Sequence, residues 1–265
     1  MHTFAYHRPA TVRQAAALLA KKDTKPLAGG HTLLPALKLR LASVGNLVDL
    51  SGVKGLGDIA AKGKSVVLGA MARHAEVAAS PSVKKAIPAL AKLAGGIGDP
   101  HVRHAGTIGG SLANNDPSAD YPAAVLALNA TIVTNKRKIP ADKFFKGLFE
   151  TALGKGEFIV QVVFPIPKRA TYVKFPNPAS LFAMVGVFVA DHGKDVRVAV
   201  TGAGEDGVFR AKDMETALKK NFSAAALGNI KVSPKGLMSD IHADAEYRAH
   251  LVGVIAKRAV AAAGK

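Results

Sequence analysis

Two short segments, each with adjacent glycines beside hydroxyl side chains, carry the residues best suited to bind a ligand. The first comprises Ala28, Gly29, Gly30, His31, Thr32 and Leu33, and the second comprises Thr107, Ile108, Gly109, Gly110 and Ser111. Glycine permits positive φ and places no Cβ in the path of a ligand, so successive N–H groups can point at phosphate oxygens. A single glycine pair is usually a turn. Two such pairs, far apart in sequence, could hold one diphosphate from two sides.

Asp120 follows the second glycine segment and has two interpretations. Its carboxylate could accept hydrogen bonds from ribose or ribityl hydroxyls of a bound nucleotide cofactor. It also stands at the start of a predicted helix, Asp120 to Leu128, where an acidic residue is favoured by the helix dipole. The residues alone leave both interpretations open.

A third glycine-rich segment, from Gly202 to Gly207, matches the spacing G-x-G-x-x-G after a predicted strand. A dinucleotide fingerprint requires a helix that starts inside the motif, followed by a second parallel strand. Here the next helix is predicted only near Asp213, and Glu205 and Asp206 would repel a pyrophosphate. We therefore interpret this segment as a loop at a strand end.

The titratable residues predict neither a metal site nor a catalytic set in this chain. There are no cysteines, so no disulfide and no cysteine-ligated iron–sulfur cluster can form. His101 and His104 lack a third ligand nearby, and no Ser-His-Asp arrangement or nucleophile elbow is present. A redox role would therefore require a different carrier.

Alternating helical and strand patterns must position these segments. The first fifty residues predict a small α/β unit, with a helix over 11–22, an extended segment from Lys25 to Leu27, a short helix over 33–41 and a strand from Asn46 to Leu50. Further on we predict a hairpin over 57–69, helices over 73–79 and 82–94, and a glycine-rich stretch from Gly106 to Asp116. A Pro-rich link from Phe164 to Pro178 is the clearest domain boundary. A hairpin follows over 181–201, and then helices near 213–220, 223–229 and 244–262.

The net charge of the chain indicates which kinds of partner it could bind. Lys and Arg outnumber Asp and Glu by 36 to 19, which gives a net charge of +17. The basic residues are scattered and no basic helix carries interleaved aromatics, so we expect no nucleic acid and favour an acidic protein partner. The charge is also compatible with peripheral contact with the inner membrane face. The N-terminus lacks a signal-peptide pattern and no apolar run could span a bilayer, so the expected location is cytoplasmic.

Beyond these arguments, the sequence resembles a known family at both glycine segments and over nearly its whole length. The segments AGGHTLLPALKLRLA and GDPHVRHAGTIGGSLANNDPSADYPAA are similar to the two flavin-binding segments of the FAD-binding medium subunits of molybdenum hydroxylases, in the xanthine dehydrogenase family. Later stretches, such as AVTGAGEDGVFRAKDMETAL, look most like the carbon monoxide dehydrogenase branch. Phe182 stands where a Tyr is common in the family, and His104 where Asn is frequent.

The resemblance implies an α+β fold in three parts. A two-part FAD-binding domain would consist of a small α/β unit, residues 1–52, and an α+β unit, residues 53–168. A C-terminal domain, residues 169–265, would contain a three-stranded antiparallel sheet and helices.

The resemblance also implies a cofactor and partners. FAD would bind non-covalently to residues 28–33 and 107–111, with Asp120 on a sugar or ribityl hydroxyl. The chain would pass electrons from [2Fe–2S] clusters on a small subunit to quinone or another acceptor. Molybdopterin would reside on a large subunit, in a dimer of heterotrimers, so this chain alone would not be catalytically complete. The alternative is a basic assembly module that keeps the fold without the cofactor.

Overall fold

In the computed structural model, which describes residues 1–263, a three-stranded parallel sheet organises the N-terminal unit. Its elements are β1 (Ala5–His7), α1 (Val12–Leu19), β2 (Thr24–Leu27), α2 (Leu33–Lys38) and β3 (Asn46–Asp49). The strand order is β1-β3-β2, and the central strand buries Leu47 and Val48. Helix α1 is capped by Thr11, whose Oγ1 accepts from the N–H of Gln14 at 3.2 Å. The predicted α/β character of this unit is confirmed.

The middle unit contains a five-stranded antiparallel sheet flanked by short helices. Its strand order is β4-β5-β10-β6-β7, and β8 and β9 form a separate hairpin. The strands are β4 (Ile59–Lys62), β5 (Ser65–Gly69), β6 (Thr131–Thr134), β7 (Lys138–Pro140), β8 (Phe145–Gly147), β9 (Glu150–Thr151) and β10 (Ile159–Pro165). The helices are α3 (His74–Ala79), α4 (Pro81–Ala86), α5 (Pro88–Gly95), α6 (Pro100–Ala105), α7 (Ile108–Asn114) and α8 (Tyr121–Ala127).

Two predictions for the middle unit need correction. The single helix predicted over 82–94 is divided into α4 and α5, because Ile87 precedes Pro88 and adopts an extended φ of −141°. The stretch from Gly106 to Asp116, predicted as a glycine-rich loop, contains helix α7. Glycine lowers helix propensity, so composition concealed a helix that tertiary contacts stabilise.

The C-terminal sheet has the three long antiparallel strands expected, with a two-residue strand added at one edge. Its elements are β11 (Arg169–Pro176), β12 (Ala183–Asp191), β13 (Val196–Thr201), β14 (Phe209–Arg210), α9 (Lys212–Lys220) and α10 (Ala245–Ala263). The predicted Pro-rich link is therefore much shorter than expected, since its second half is strand β11. The helix expected over 223–229 is a short 3₁₀ turn over Ala224–Leu227. The Gly202–Gly207 segment connects β13 to β14 with no helix inside it, as its sequence predicts.

Strand β12 is buried along its whole length because both faces of this sheet are covered. Val185, Val187 and Val189 belong to a core shared with α9 and α10. Phe188 and Ala190, on the opposite face, join the core of the middle unit, which includes helix α8. The middle unit and the C-terminal sheet therefore pack against each other through a common core.

Candidate functional site: two glycine segments meet

The first glycine segment connects the end of β2 to the start of α2. Gly30 has a φ of +76°, and a Cβ there would lie 2.7 Å from Leu34 Cδ1. Both facts require glycine at this position. Leu33 is the first residue of α2, which places the segment 28–33 entirely at the end of the strand and the entry to the helix.

The second segment forms the first turn of α7. Thr107 is its N-cap, and its Oγ1 accepts from the N–H of Gly110 at 3.2 Å. The N–H groups of Ile108 and Gly109 donate to the carbonyls of Ala72 and Ala70, beyond the end of β5. A Cβ on Gly109 would lie 2.6 Å from the Cβ and carbonyl oxygen of Ala70, so this glycine permits close contact between helix and strand.

The two segments are far apart in sequence and adjacent in space. A Cβ on Gly29 would overlap the carbonyl of Ala105 and lie 2.8 Å from Gly106 Cα. A Cβ on Gly110 would lie 3.6 Å from the Cβ of Ala28. The structure thus brings residues 28–33 and 107–111 together, with backbone against backbone at their junction.

Donors for an anion are distributed unequally between the segments. The backbone N–H groups from Gly29 to Thr32 donate to no acceptor within residues 1–263. In the second segment, the N–H groups from Ile108 to Ser111 already have protein acceptors. The first segment therefore fits a diphosphate with backbone donors, whereas the second offers the hydroxyls of Thr107 and Ser111 and a surface without side chains at Gly110.

His74, which the sequence did not single out, lies behind this junction. A Cβ on Gly106 would lie 2.6 Å from His74 Nε2, and the His74 ring lies 5.3 Å from the Tyr121 ring. Burial, with His31 and Arg103 nearby, lowers the pKa of His74 to about 4. His74 is therefore neutral at pH 7, and its buried Nδ1 has no hydrogen-bond partner within the described chain.

Asp120 lies at the N-cap of α8, but its side chain makes no capping hydrogen bond. The residue is 4% exposed, and Oδ1 accepts from the hydroxyl of Tyr172 at 2.6 Å and lies 3.0 Å from Nζ of Lys174. Burial raises its pKa, and the two partners on β11 oppose that rise. Asp120 therefore connects the start of α8 to strand β11 of the C-terminal sheet, a contact that neither interpretation of the sequence predicted.

The remaining histidines do not converge. His104 Nδ1 lies 2.7 Å from the carbonyl oxygen of Pro100, on the preceding turn of α6. Across residues 1–263, no group of three or more His, Asp or Glu side chains is placed to hold a metal ion. In the same part of the chain, no helix is both long and apolar enough to cross a membrane.

Solved structures with this fold identify the class. The chain aligns over 99% of its length, with a TM-score of 0.90 and 30% identity, with 98% of a chain in the structure of reconstituted CO dehydrogenase from Oligotropha carboxidovorans. The fold is thus that of a subunit of a molybdenum-dependent oxidoreductase. More particularly, residues 2–167 match the model of the FAD binding domain in molybdopterin dehydrogenase, and the chain belongs to that family.

Relatives of known activity agree with this assignment. The carbon monoxide dehydrogenase medium chain of Hydrogenophaga pseudoflava is 36% identical, with 98% of this chain and 96% of the relative aligned. The nicotine 6-hydroxylase medium subunit of Paenarthrobacter nicotinovorans is 35% identical over the same shares of both chains. The resemblance to FAD-binding medium subunits of molybdenum hydroxylases, in the carbon monoxide dehydrogenase branch, is confirmed.

Proposed function

We propose that this chain is the electron-transfer subunit of a carbon monoxide dehydrogenase-like complex. The observation that carries the proposal is the junction of two distant glycine segments, one of which presents N–H groups without acceptors. When bound, FAD supplies a carrier that takes electrons from [2Fe–2S] clusters of a partner subunit and passes them to quinone or another acceptor. Because relatives of similar identity are named for carbon monoxide and for nicotine, the proposal names no substrate for the complex.

Within this proposal, residues 28–33 hold the diphosphate through backbone donors. Thr107 and Ser111 add hydroxyls, while Ile108, Gly109 and Gly110 shape the surface against which the cofactor lies. Asp120 is 4% exposed and its carboxylate is already engaged by Tyr172 and Lys174, so only its remaining acceptor capacity is left for a ribityl or sugar hydroxyl. Binding is non-covalent.

The partners in this proposal are an iron–sulfur small subunit and a molybdopterin large subunit, in a dimer of heterotrimers. We propose the boundaries 1–52, 53–168 and 169–265, a division supported by the three main sheets, one of which lies within each part. A cytoplasmic location and contact with the inner membrane face stay predictions. The competing proposal, a cofactor-free assembly module, is disfavoured by Gly30, which keeps a conformation that suits a backbone anion site.

Identification of the released cofactor tests the proposal. Heat or acid release from the purified chain, or from its complex, followed by chromatography, should yield FAD and not FMN, because two separated segments suit a diphosphate. Recovery of FMN alone would contradict FAD as the cofactor, and recovery of no flavin after saturation with FAD would favour the cofactor-free assembly module.

A further inference from the structure

A pocket of about 370 Å³ lies in the C-terminal unit, and its lining includes no residue of either glycine segment. Its walls are the end of the loop between β13 and β14, strand β14 with the first turn of α9, and the segment 230–237. Its floor contains Met214, Leu237 and Val252, which are 2%, 6% and 0% exposed and belong to the core under the C-terminal sheet. We call it the β14 pocket.

The segment 230–233 has the pattern of a half-buried strand without a partner strand. Ile230 and Val232 pack against the C-terminal core, whereas Lys231 and Ser233 are exposed. Alternation with a period of two is typical of a strand that packs on one face. Within residues 1–263, however, no sheet includes this segment.

Backbone groups on two walls of the pocket are free to pair. The N–H and C=O groups of residues 231–233 have no protein partner in the described part of the chain. Strand β14 is the edge of its sheet, and the N–H of Ala211 donates to the carbonyl of Val198. Arg210 therefore stands opposite Ala199 in a non-hydrogen-bonded pair, and its backbone groups point away from β13.

The charges of the lining are divided between the walls. Lys231 and Lys235, on the segment 230–237, have no carboxylate partner within residues 1–263. The acidic lining residues, Asp206 and Asp213, lie on the other walls. The remaining cations of the lining are paired with Glu215, at 2.7 Å and 3.3 Å respectively: Arg210 and Lys212. Positive charge without a partner therefore lies along the unpaired segment.

These features favour an added strand from an acidic partner. Main-chain hydrogen bonds to a free edge and a pocket for a side chain are the elements of peptide recognition by strand addition. A lysine on such an edge disfavours a second copy of this chain, which carries a net charge of +17. It favours a strand with acidic side chains, because opposite charges directly across a strand pair stabilise the pair.

We propose that the β14 pocket binds an extended segment of an acidic protein partner. The segment pairs with residues 231–233, its apolar side chains on the face of Val232 and the pocket floor. Its acidic side chains alternate with these and lie beside Lys231 and Lys235. The inference goes beyond the proposed function, because it concerns the C-terminal unit and holds whether or not the chain binds FAD.

A designed peptide tests the inference directly. The probe is fluorescein-labelled Asp-Val-Asp-Phe-Asp-Val-Asp with a blocked C-terminus, titrated with the purified chain and followed by fluorescence anisotropy. It should bind saturably, and the same peptide with lysine in place of aspartate should bind about tenfold more weakly. The absence of binding to the acidic peptide at about 1 mM, an affinity of no more than about 4 kcal/mol, would overturn the inference.

Methylated peptides test the backbone pairing without any change to the chain. One has methyl groups on the nitrogens of its apolar residues, and the other on the nitrogens of its second, third and fourth aspartates. At least one should bind about tenfold more weakly than the parent, because alternate N–H groups of a strand face its neighbour. If both bound like the parent, no strand would be added and the inference would fail.

A charge reversal tests the position of the site. The double variant Lys231→Glu, Lys235→Glu should weaken the acidic peptide about tenfold and strengthen the lysine peptide. The control is Lys219→Glu, Lys220→Glu, which makes the same change in net charge at exposed positions in the last turn of α9, outside the pocket lining. Equal effects of the two double variants would show that the peptide responds only to the overall charge of the chain.

Size-exclusion chromatography at several concentrations examines the other occupant, a second copy of the chain. The native chain should keep one elution volume, with or without the acidic peptide. A dimer that forms as concentration rises, and that Lys231→Glu, Lys235→Glu changes, would assign this surface to self-association and overturn the inference.

Discussion

At the scale of single residues, the glycines of the two segments have different tasks. Gly30 is required by its φ of +76°, and Gly109 by contact with Ala70 after β5. Gly110 is the glycine whose missing Cβ leaves space between the two segments, near Ala28 and Thr107. The sequence indicated that both segments could bind an anion. It could not indicate which glycine faces the anion, because that depends on which strand packs against each segment.

Gly110→Val should therefore reduce FAD affinity without unfolding the chain. The valine Cβ would lie 3.1 Å from Thr107 Oγ1 and 3.6 Å from Ala28 Cβ, so the side chain would occupy the space between the two segments. Flavin content and FAD titration by fluorescence measure the effect, with circular dichroism as the check on folding. Gly253→Ala, in α10 with no atom within 4 Å of the new Cβ, is the control and should raise stability by about 0.5–1 kcal/mol. Unchanged FAD affinity in Gly110→Val would place the cofactor elsewhere.

His74 predicts a pH dependence of stability. Its pKa is near 4 in the folded chain, below its unfolded value, so the unfolded state binds the proton first as the pH falls. Stability should decline from about pH 6.5 to pH 4, by at most about 3 kcal/mol from this residue, and not further below that range. Urea unfolding at several pH values should show a flatter profile for His74→Gln than for the native chain. Parallel profiles would mean that folding does not lower the pKa of His74.

At the scale of elements, the buried Asp120–Lys174 pair connects α8 to β11. The sequence predicted Asp120 as a site residue but gave no indication of Lys174, because no local pattern relates residues from two different units. The helix start at Asp120 was predictable from local signals, whereas the contact that satisfies its carboxylate required the tertiary fold. Lys174 Nζ also donates to the carbonyls of Gly96 and Leu181, so one side chain joins three elements.

Lys174→Met should cost about 3–5 kcal/mol of stability, because it leaves the Asp120 carboxylate buried without a cation. Arg8→Met provides the matched comparison, since Arg8 lies 3.8 Å from Asp49 with a side chain 61% exposed, and should cost less than about 1 kcal/mol. Chemical denaturation measures both. The double variant Asp120→Asn, Lys174→Met should recover part of the loss, and equal losses for Lys174→Met and Arg8→Met would show that the buried pair carries no special penalty.

At the scale of the whole molecule, the three sheets were predictable in outline, while their junctions were not. The hydrophobic strand β12 could be recognised from its run of apolar residues, but which helices cover its two faces follows only from the fold. The glycine segments give a second example. Their similar composition could be read from the sequence, but their contact with each other could not. Local patterns specify elements, and the shared cores between units decide where these elements meet.

The net charge of +17 predicts how the chain finds its partners. Alone it should have no hydroxylase or carbon monoxide-oxidising activity, since zero cysteines leave no ligands for iron–sulfur clusters. Co-expression with an iron–sulfur subunit and a molybdenum subunit should yield a complex on size-exclusion chromatography.

Salt screens charges at the rim of an interface more than contacts at its centre, so the association rate should fall as ionic strength rises while a well-packed complex persists. Stopped-flow mixing at low and high salt measures that rate. A catalytically complete enzyme from this chain by itself would refute the electron-transfer assignment, and a salt-independent rate would show that its positive charge faces solvent rather than acidic partners.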